Sequence, residues 1–108
     1  MCVKLEFERN HTIWKPPPAE YFTVRKGINA YEVMKLAQRR HPCYNFTTQL
    51  TTWGKRIVSI CKVSQEPALG FYWRMYIDPG RTPSQYGIDD LIPRHGQCIV
   101  FLYEQGDC

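Results

Sequence analysis

The sequence predicts an α+β domain, with a β-grasp-like curved mixed sheet crossed by one helix. Three observations carry this. A single stretch near Ala30 has helical apolar spacing, strand-like alternation recurs on both sides of it, and 108 residues at 44% hydrophobic composition suit one core rather than two. The whole of 1–108 is therefore read as one domain.

Val3, Leu5 and Phe7 alternate with Lys4, Glu6 and Glu8, the period of a strand with one face buried and one in water. Residues 11–19 interrupt the pattern. Pro16, Pro17 and Pro18 lack amide donors and favour an extended polyproline backbone, so this segment is expected to be a stiff surface loop. Strand chemistry resumes from Tyr21 to Arg25, and Gly27 closes it.

The helix follows. Asn29 can cap its first turn, Glu32 stands three residues later as in a capping box, and Ile28 can reach Val33 as a hydrophobic staple. Ala30, Val33, Met34 and Ala37 make one apolar stripe. Arg39 and Arg40 favour the negative end of the helix dipole, and Pro42 stops the helix. Further strands are expected from Tyr44 to Leu50, from Lys55 to Val63 after a turn at Trp53-Gly54, from Phe71 to Ile77, and from Gln97 to Glu104. In a β-grasp the first and last strands run parallel in mid-sheet, which suits the apolar runs Val3 to Phe7 and Ile99 to Tyr103.

Composition narrows function. The net charge of +4 comes from 14 Lys+Arg against 10 Asp+Glu, and the cations are scattered, so nucleic acid is not an expected partner. No apolar run approaches the roughly eighteen residues of a membrane helix. Two sequons, Asn10-His11-Thr12 and Asn45-Phe46-Thr47, make Asn10 and Asn45 candidate glycosylation sites. Five cysteines in so short a chain suit a disulfide-stabilised extracellular domain, and without a CxxC pair they do not suggest zinc. The chain is accordingly expected to be secreted, with Met1 read as a start placed on a mature sequence.

Enzyme chemistry finds little support. Asp89-Asp90 is an isolated pair whose side chains diverge on an extended chain, and His11, His41 and His95 have no partner at triad or metal spacing. The expectation is a non-enzyme without a metal. The chain does hold aromatics in or beside loops, namely Trp14, Tyr44, Trp53, Tyr72, Trp73 and Tyr86, which point to recognition. Alternation lets only one of Tyr72 and Trp73 face the core, and Trp73 is expected to be that one.

Three stretches together, FTVRKGINAYEVMKLA, NFTTQLTTWGKRIVSI and YWRMYIDPGRTPSQYGIDDLIPRHGQCIVFLY, carry a family resemblance. From Val3 to Tyr103 the chain resembles the C-terminal β-domain of the cobalamin carriers, the family of transcobalamin, intrinsic factor and haptocorrin. The resemblance implies that cobalamin contacts would lie in two hairpin tips. One falls on Thr52, Trp53 and Gly54, and the other on Pro83, Ser84, Gln85 and Tyr86, with Trp73 as the strand residue between them. A separate α-helical barrel covers the corrinoid's other side in that family. The β-domain read alone would hold half a site and be adapted to stand by itself.

Within this topology Cys2 and Cys98 each begin a strand, and parallel central neighbours would bring them together as one disulfide. Cys43 with Cys61 is the second expected pair. Cys108 is left for a disulfide-linked dimer or a free thiol. The function expected is a secreted binding module reused for recognising an extracellular protein, with corrinoid binding as the alternative.

Overall fold

The computed structural model describes residues 1–7, 17–52 and 54–106. A five-stranded mixed sheet has the order β2-β1-β8-β6-β7, and a three-stranded antiparallel sheet has the order β3-β4-β5. The first contains β1 (Cys2–Phe7), β2 (Glu20–Tyr21), β6 (Phe71–Asp78), β7 (Thr82–Pro83) and β8 (Cys98–Gln105). The second contains β3 (Phe46–Thr51), β4 (Gly54–Ile60) and β5 (Val63–Ser64), and α1 (Ala30–Arg40) is the single α-helix among the described residues. The α+β class, one helix and one core follow the sequence; the division into two sheets does not.

The central pairing is β1 beside β8, parallel and in register from Cys2 with Cys98 to Phe7 with Tyr103. Period two then fixes the two faces. Val3 and Leu5 of β1, with Ile99, Phe101 and Tyr103 of β8, are buried in the core, as is Trp73 of the neighbouring β6. Lys4, Glu6 and Asp78 take the other face, where Lys4 Nζ lies 2.9 Å from Asp78 Oδ2. Arg81 closes this surface cluster by bonding Glu6 through both Nη atoms at 2.8 and 2.9 Å.

In α1 the Asn29 Oδ1 accepts the Glu32 amide at 2.9 Å, and Ala30, Val33, Met34 and Ala37 are all fully buried. The Glu32 carboxylate turns to Arg25 instead of completing a capping box. His41 ends the helix, its amide donating to the Ala37 carbonyl, and the chain passes into a 3-10 turn, Pro42–Tyr44.

Two expectations change here. The strand expected over Tyr21 to Arg25 is limited to Glu20–Tyr21: after the Phe22 amide bonds Met1 O the chain leaves the ladder for a turn in which the Ile28 amide donates to Arg25 O. Strand β4 ends at Ile60, short of Val63. Cys61 and Lys62 take positive φ values of 54° and 65°, which make a tight two-residue turn into β5.

The two sheets are joined by side chains. Trp73 Nε1 donates to Val63 O and the Tyr103 hydroxyl to Ser64 O, both at 2.8 Å, so β5 is held against the face of β6 and β8. Phe7, Trp73 and Tyr103 meet there with ring centroids 5.0 to 5.9 Å apart. Disulfides join Cys2 to Cys98 and Cys43 to Cys61. The second fastens the turn after α1 to the β4–β5 turn.

Candidate functional site

The aromatic strand β6 continues into a turn at Asp78-Pro79-Gly80-Arg81, where Asp78 Oδ1 accepts the Arg81 amide at 3.1 Å. The chain returns as β7, pairing Tyr76 with Pro83 and Ile77 with Thr82, and the Ser84 amide makes the last bond, to Met75 O at 3.0 Å. Pairing stops there because Ser84 turns the chain away. Its Oγ accepts the Tyr86 amide at 3.1 Å and donates to Tyr86 O at 2.8 Å, a local alternative to a ladder.

Residues beyond this turn are anchored on the helix. The Ile88 and Leu91 carbonyls accept the Tyr31 and Ala30 amides, both at 2.8 Å, which satisfies donors that a helix start leaves open. Ile88 and Leu91 are themselves buried. Asp89 reaches the β4 side, its Oδ2 accepting the Lys55 amide at 3.3 Å, while Asn29 Nδ2 donates to Asp89 O at 3.2 Å. The loop is polar at its tip and fixed at its base.

Between this loop, β4 and β6 lies an open groove of about 780 Å³. Ile57, Trp73, Met75 and Phe101 supply apolar lining, and Tyr76 and Arg74 stand on the β6 side. Trp73, Ser84, Gln85 and Tyr86, four residues from the family resemblance, all line it. Tyr86 is 62% exposed, whereas Trp73 is 8% exposed and presents only part of its indole. Thr52 is exposed and does not line the groove, although its neighbours Thr51 and Gly54 do. Trp53 lies outside the described residues, as do Asn10, Trp14, Cys108 and most of the 11–19 loop.

The remaining candidates separate. Tyr44 is not a recognition aromatic: it is fully buried, and its hydroxyl donates to Pro18 O at 2.9 Å and Val3 O at 3.2 Å. The turn that stops α1 delivers it to the core. Tyr72 is half-buried, with Arg56 stacked 5.2 Å from its ring. Asn45 is exposed where β3 begins. Asp89 and Asp90 diverge, Asp90 facing the groove while Asp89 holds the hairpin tip.

This arrangement offers apolar cover and hydrogen bonds. The Tyr76 hydroxyl bonds the Glu104 carboxylate, which holds its pKa above the ordinary tyrosine range, so it is a protonated donor at neutral pH rather than a base. Among the described residues no three His, Cys, Asp or Glu side chains gather as metal ligands. Met75 could have been found by period two from Trp73. Ile57 and Phe101 could not, since they come from other strands and meet Trp73 only through the fold.

No family model matches the chain. It is 31% identical over 83 residues to cobalamin binding intrinsic factor of Canis lupus familiaris and 30% identical over the same length to that of Homo sapiens. Each match covers 77% of this chain but 19% of the relative, so the chain spans about a fifth of their length. Among solved structures it resembles haptocorrin in complex with Cbi, with a TM-score of 0.74 and 22% identity over 97% of this chain and 25% of that one. A candidate metal-binding protein from Ruminococcus gnavus shares the fold at a TM-score of 0.71 and 11% identity, over 98% of this chain and 96% of that one. These two likenesses speak to fold alone. The relatives are named for binding rather than catalysis, and sequence and fold together make this chain a C-terminal β-domain of the cobalamin-carrier family.

Proposed function

We propose that the chain is a secreted, non-enzymatic binding module that recognises a second extracellular protein through the groove beside Ser84, Gln85 and Tyr86. The observation that carries this is the shape of the groove. Its lining joins apolar Ile57, Trp73, Met75 and Phe101 to polar Ser84, Gln85 and Asp90, and it is open, so whatever sits there keeps a face for a second protein surface. Secretion is supported by two disulfides in a small domain and by the exposed sequon residue Asn45.

A corrinoid is the second reading, favoured by Trp73, Ser84, Gln85 and Tyr86 lining one groove and by relatives named for cobalamin. The residues present fit such a ligand. Apolar Ile57, Met75 and Trp73 would cover ring carbons, while Ser84 and Gln85 would bond peripheral amides. The resemblance also assigns Thr52 and Trp53 as contacts, the second outside the described residues. The other side of the ligand would belong to another protein surface, as in a composite site.

Titration with cobinamide and hydroxocobalamin, followed by visible absorbance, separates the two readings. A spectral shift that Gln85→Ala and Tyr86→Ala weaken assigns the groove to corrinoid, and no shift up to about 100 μM removes that ligand for this chain. Protein recognition is then tested with a photoreactive side chain in place of Gln85. A specific adduct in extracellular fluid, lost in Tyr86→Glu, is expected, and its absence would sink the idea. Gel filtration with and without reductant tests the covalent dimer proposed through Cys108.

A further inference from the structure

A second groove shares no lining residue with the first. It forms where the chain peels away from the sheet after β2, runs through Thr23 and Val24 to Gly27, and passes the 92–95 segment that leads into β8. Its volume is about 1010 Å³. The charge lining it is of one sign: Arg25, Lys26, Arg40 and Arg94 contribute, with His95 beside them, and no Asp or Glu lines it. Arg25, Lys35 and Arg39 line an adjoining cleft along α1. Six of the chain's 14 Lys+Arg therefore share this surface with one carboxylate, Glu32, which Arg25 already pairs. That local excess exceeds the net charge of the whole chain.

These cations are not committed to acids elsewhere. Lys26, Arg39 and Arg94 are exposed, and none has a carboxylate within ion-pair distance among the described residues. Arg40 is held in place without being neutralised: its guanidinium lies 4.3 Å from the Phe22 ring centroid and donates to Tyr21 O. A cluster of exposed like charges raises the local positive potential, and a bound anion would relieve their mutual repulsion.

The groove is also apolar. Phe22 and Val24 line it, and Tyr21 and Ile92 stand at its margin 71% and 53% exposed. A sulfated sugar has no large apolar group for such a surface, whereas a polypeptide can present acids and apolar side chains together. From this pairing of charge and apolar surface, we infer that the groove is a docking site for an acidic polypeptide segment in which glutamate or aspartate alternates with leucine or phenylalanine. The inference is independent of what the Ser84–Tyr86 groove takes.

Fluorescence anisotropy with a labelled synthetic peptide of that alternating pattern tests it. The peptide is expected to bind, with affinity falling as salt rises. Replacing its glutamates by glutamine, or its leucines and phenylalanines by serine, is expected to weaken it at least about tenfold. In the protein, Lys26→Glu with Arg94→Glu is expected to do the same. Both residues are exposed and unpaired, so folding should persist, and thermal unfolding checks this. Lys62→Glu, a single charge reversal at the β4–β5 turn, and Tyr86→Ala in the other groove are expected to leave binding unchanged. No binding up to about 100 μM, equal loss from Lys62→Glu, or a heparin-derived oligosaccharide binding more tightly than the peptide would overturn the assignment.

Discussion

Asp89 holds the β3–β4 hairpin through Lys55. Its Oδ2 accepts the Lys55 amide at 3.3 Å, while Oδ1 faces Gly54 so closely that a Cβ there would lie 2.9 Å away. Gly54 also has φ +107°, a conformation that side chains disfavour. Gly54→Ala is therefore expected to destabilise the protein by about 1–3 kcal/mol, seen as a lower denaturant midpoint. In an Asp89→Ala background the contact is gone but the φ strain remains, so the second measurement should show a smaller loss. Equal losses would mean that the carboxylate contact contributes nothing.

The buried Tyr44 hydroxyl bonds Pro18 O and Val3 O, tying the 3-10 turn to β1 and the chain before β2. Tyr44→Phe keeps the packing but leaves both carbonyls short of a donor, and is expected to cost about 1–2 kcal/mol in denaturant unfolding. Burial, with Glu20 nearby, pushes this hydroxyl up to about 12 from an ordinary 10.0. A raised folded-state pKa stabilises below pH 10 and is lost as pH rises towards 12. The wild type should therefore lose its advantage over Tyr44→Phe across that window; a constant difference would refute the assignment.

Arg81 bridges Glu6 and Asp78 across the outer face of the sheet. Its guanidinium, the largest influence on Glu6, holds that carboxyl below its ordinary 4.5, while Lys4 first and then Arg81 hold Asp78 below 3.8. Depressed carboxylates stabilise above their unfolded pKa values and lose this as pH falls through the folded ones. Because the cluster is part-exposed, Arg81→Gln is expected to cost only about 0.5–1 kcal/mol at neutral pH. The deficit should shrink in high salt and fade as pH drops below the ordinary 4.5 and 3.8 and through the lower folded values; persistence once both carboxyls are protonated would indicate a packing role instead.

The two disulfides close loops of very different length, with sequence separations of 96 and 18. In the chain-entropy account, losing Cys2–Cys98 costs about 4–5 kcal/mol and losing Cys43–Cys61 about 3 kcal/mol. Cys2→Ala with Cys98→Ala should thus lower the melting temperature more than Cys43→Ala with Cys61→Ala. Because Cys2 is only 1% exposed, mild reductant should open the Cys43–Cys61 bridge first, which mass spectrometry of alkylated protein can follow. The reverse order on either count would contradict the structure.

Local pattern made much of the fold legible. The stripe Ala30, Val33, Met34 and Ala37 marked α1, and alternation marked β1, because burial on one face imposes a period that the chain records directly. It failed where a neighbour decided. Thr23 to Arg25 has strand chemistry, yet its backbone leads into the turn that the Ile28 amide closes on Arg25 O. Tyr44 sits beside a proline turn and looks like a loop aromatic, but the turn aims it inward. The groove was half legible: Ser84, Gln85 and Tyr86 stood out with Trp73, while Ile57 and Phe101 carried no signal.

Residue order alone suffices for the inventory: one helix with its cap and stop, the apolar central strands, the turn-rich loop after the aromatic strand, and the family. Those features depend on residues close together along the chain. Tertiary structure alone decided that the strands divide into two sheets, that β5 is hung on Trp73 and Tyr103, and that cations from 25–26, 40 and 94 share one groove. The reason is physical. A periodicity reports which face of an element is buried, whereas a groove is made by the distance between elements, and that distance is set by the side chains that fill the space between them.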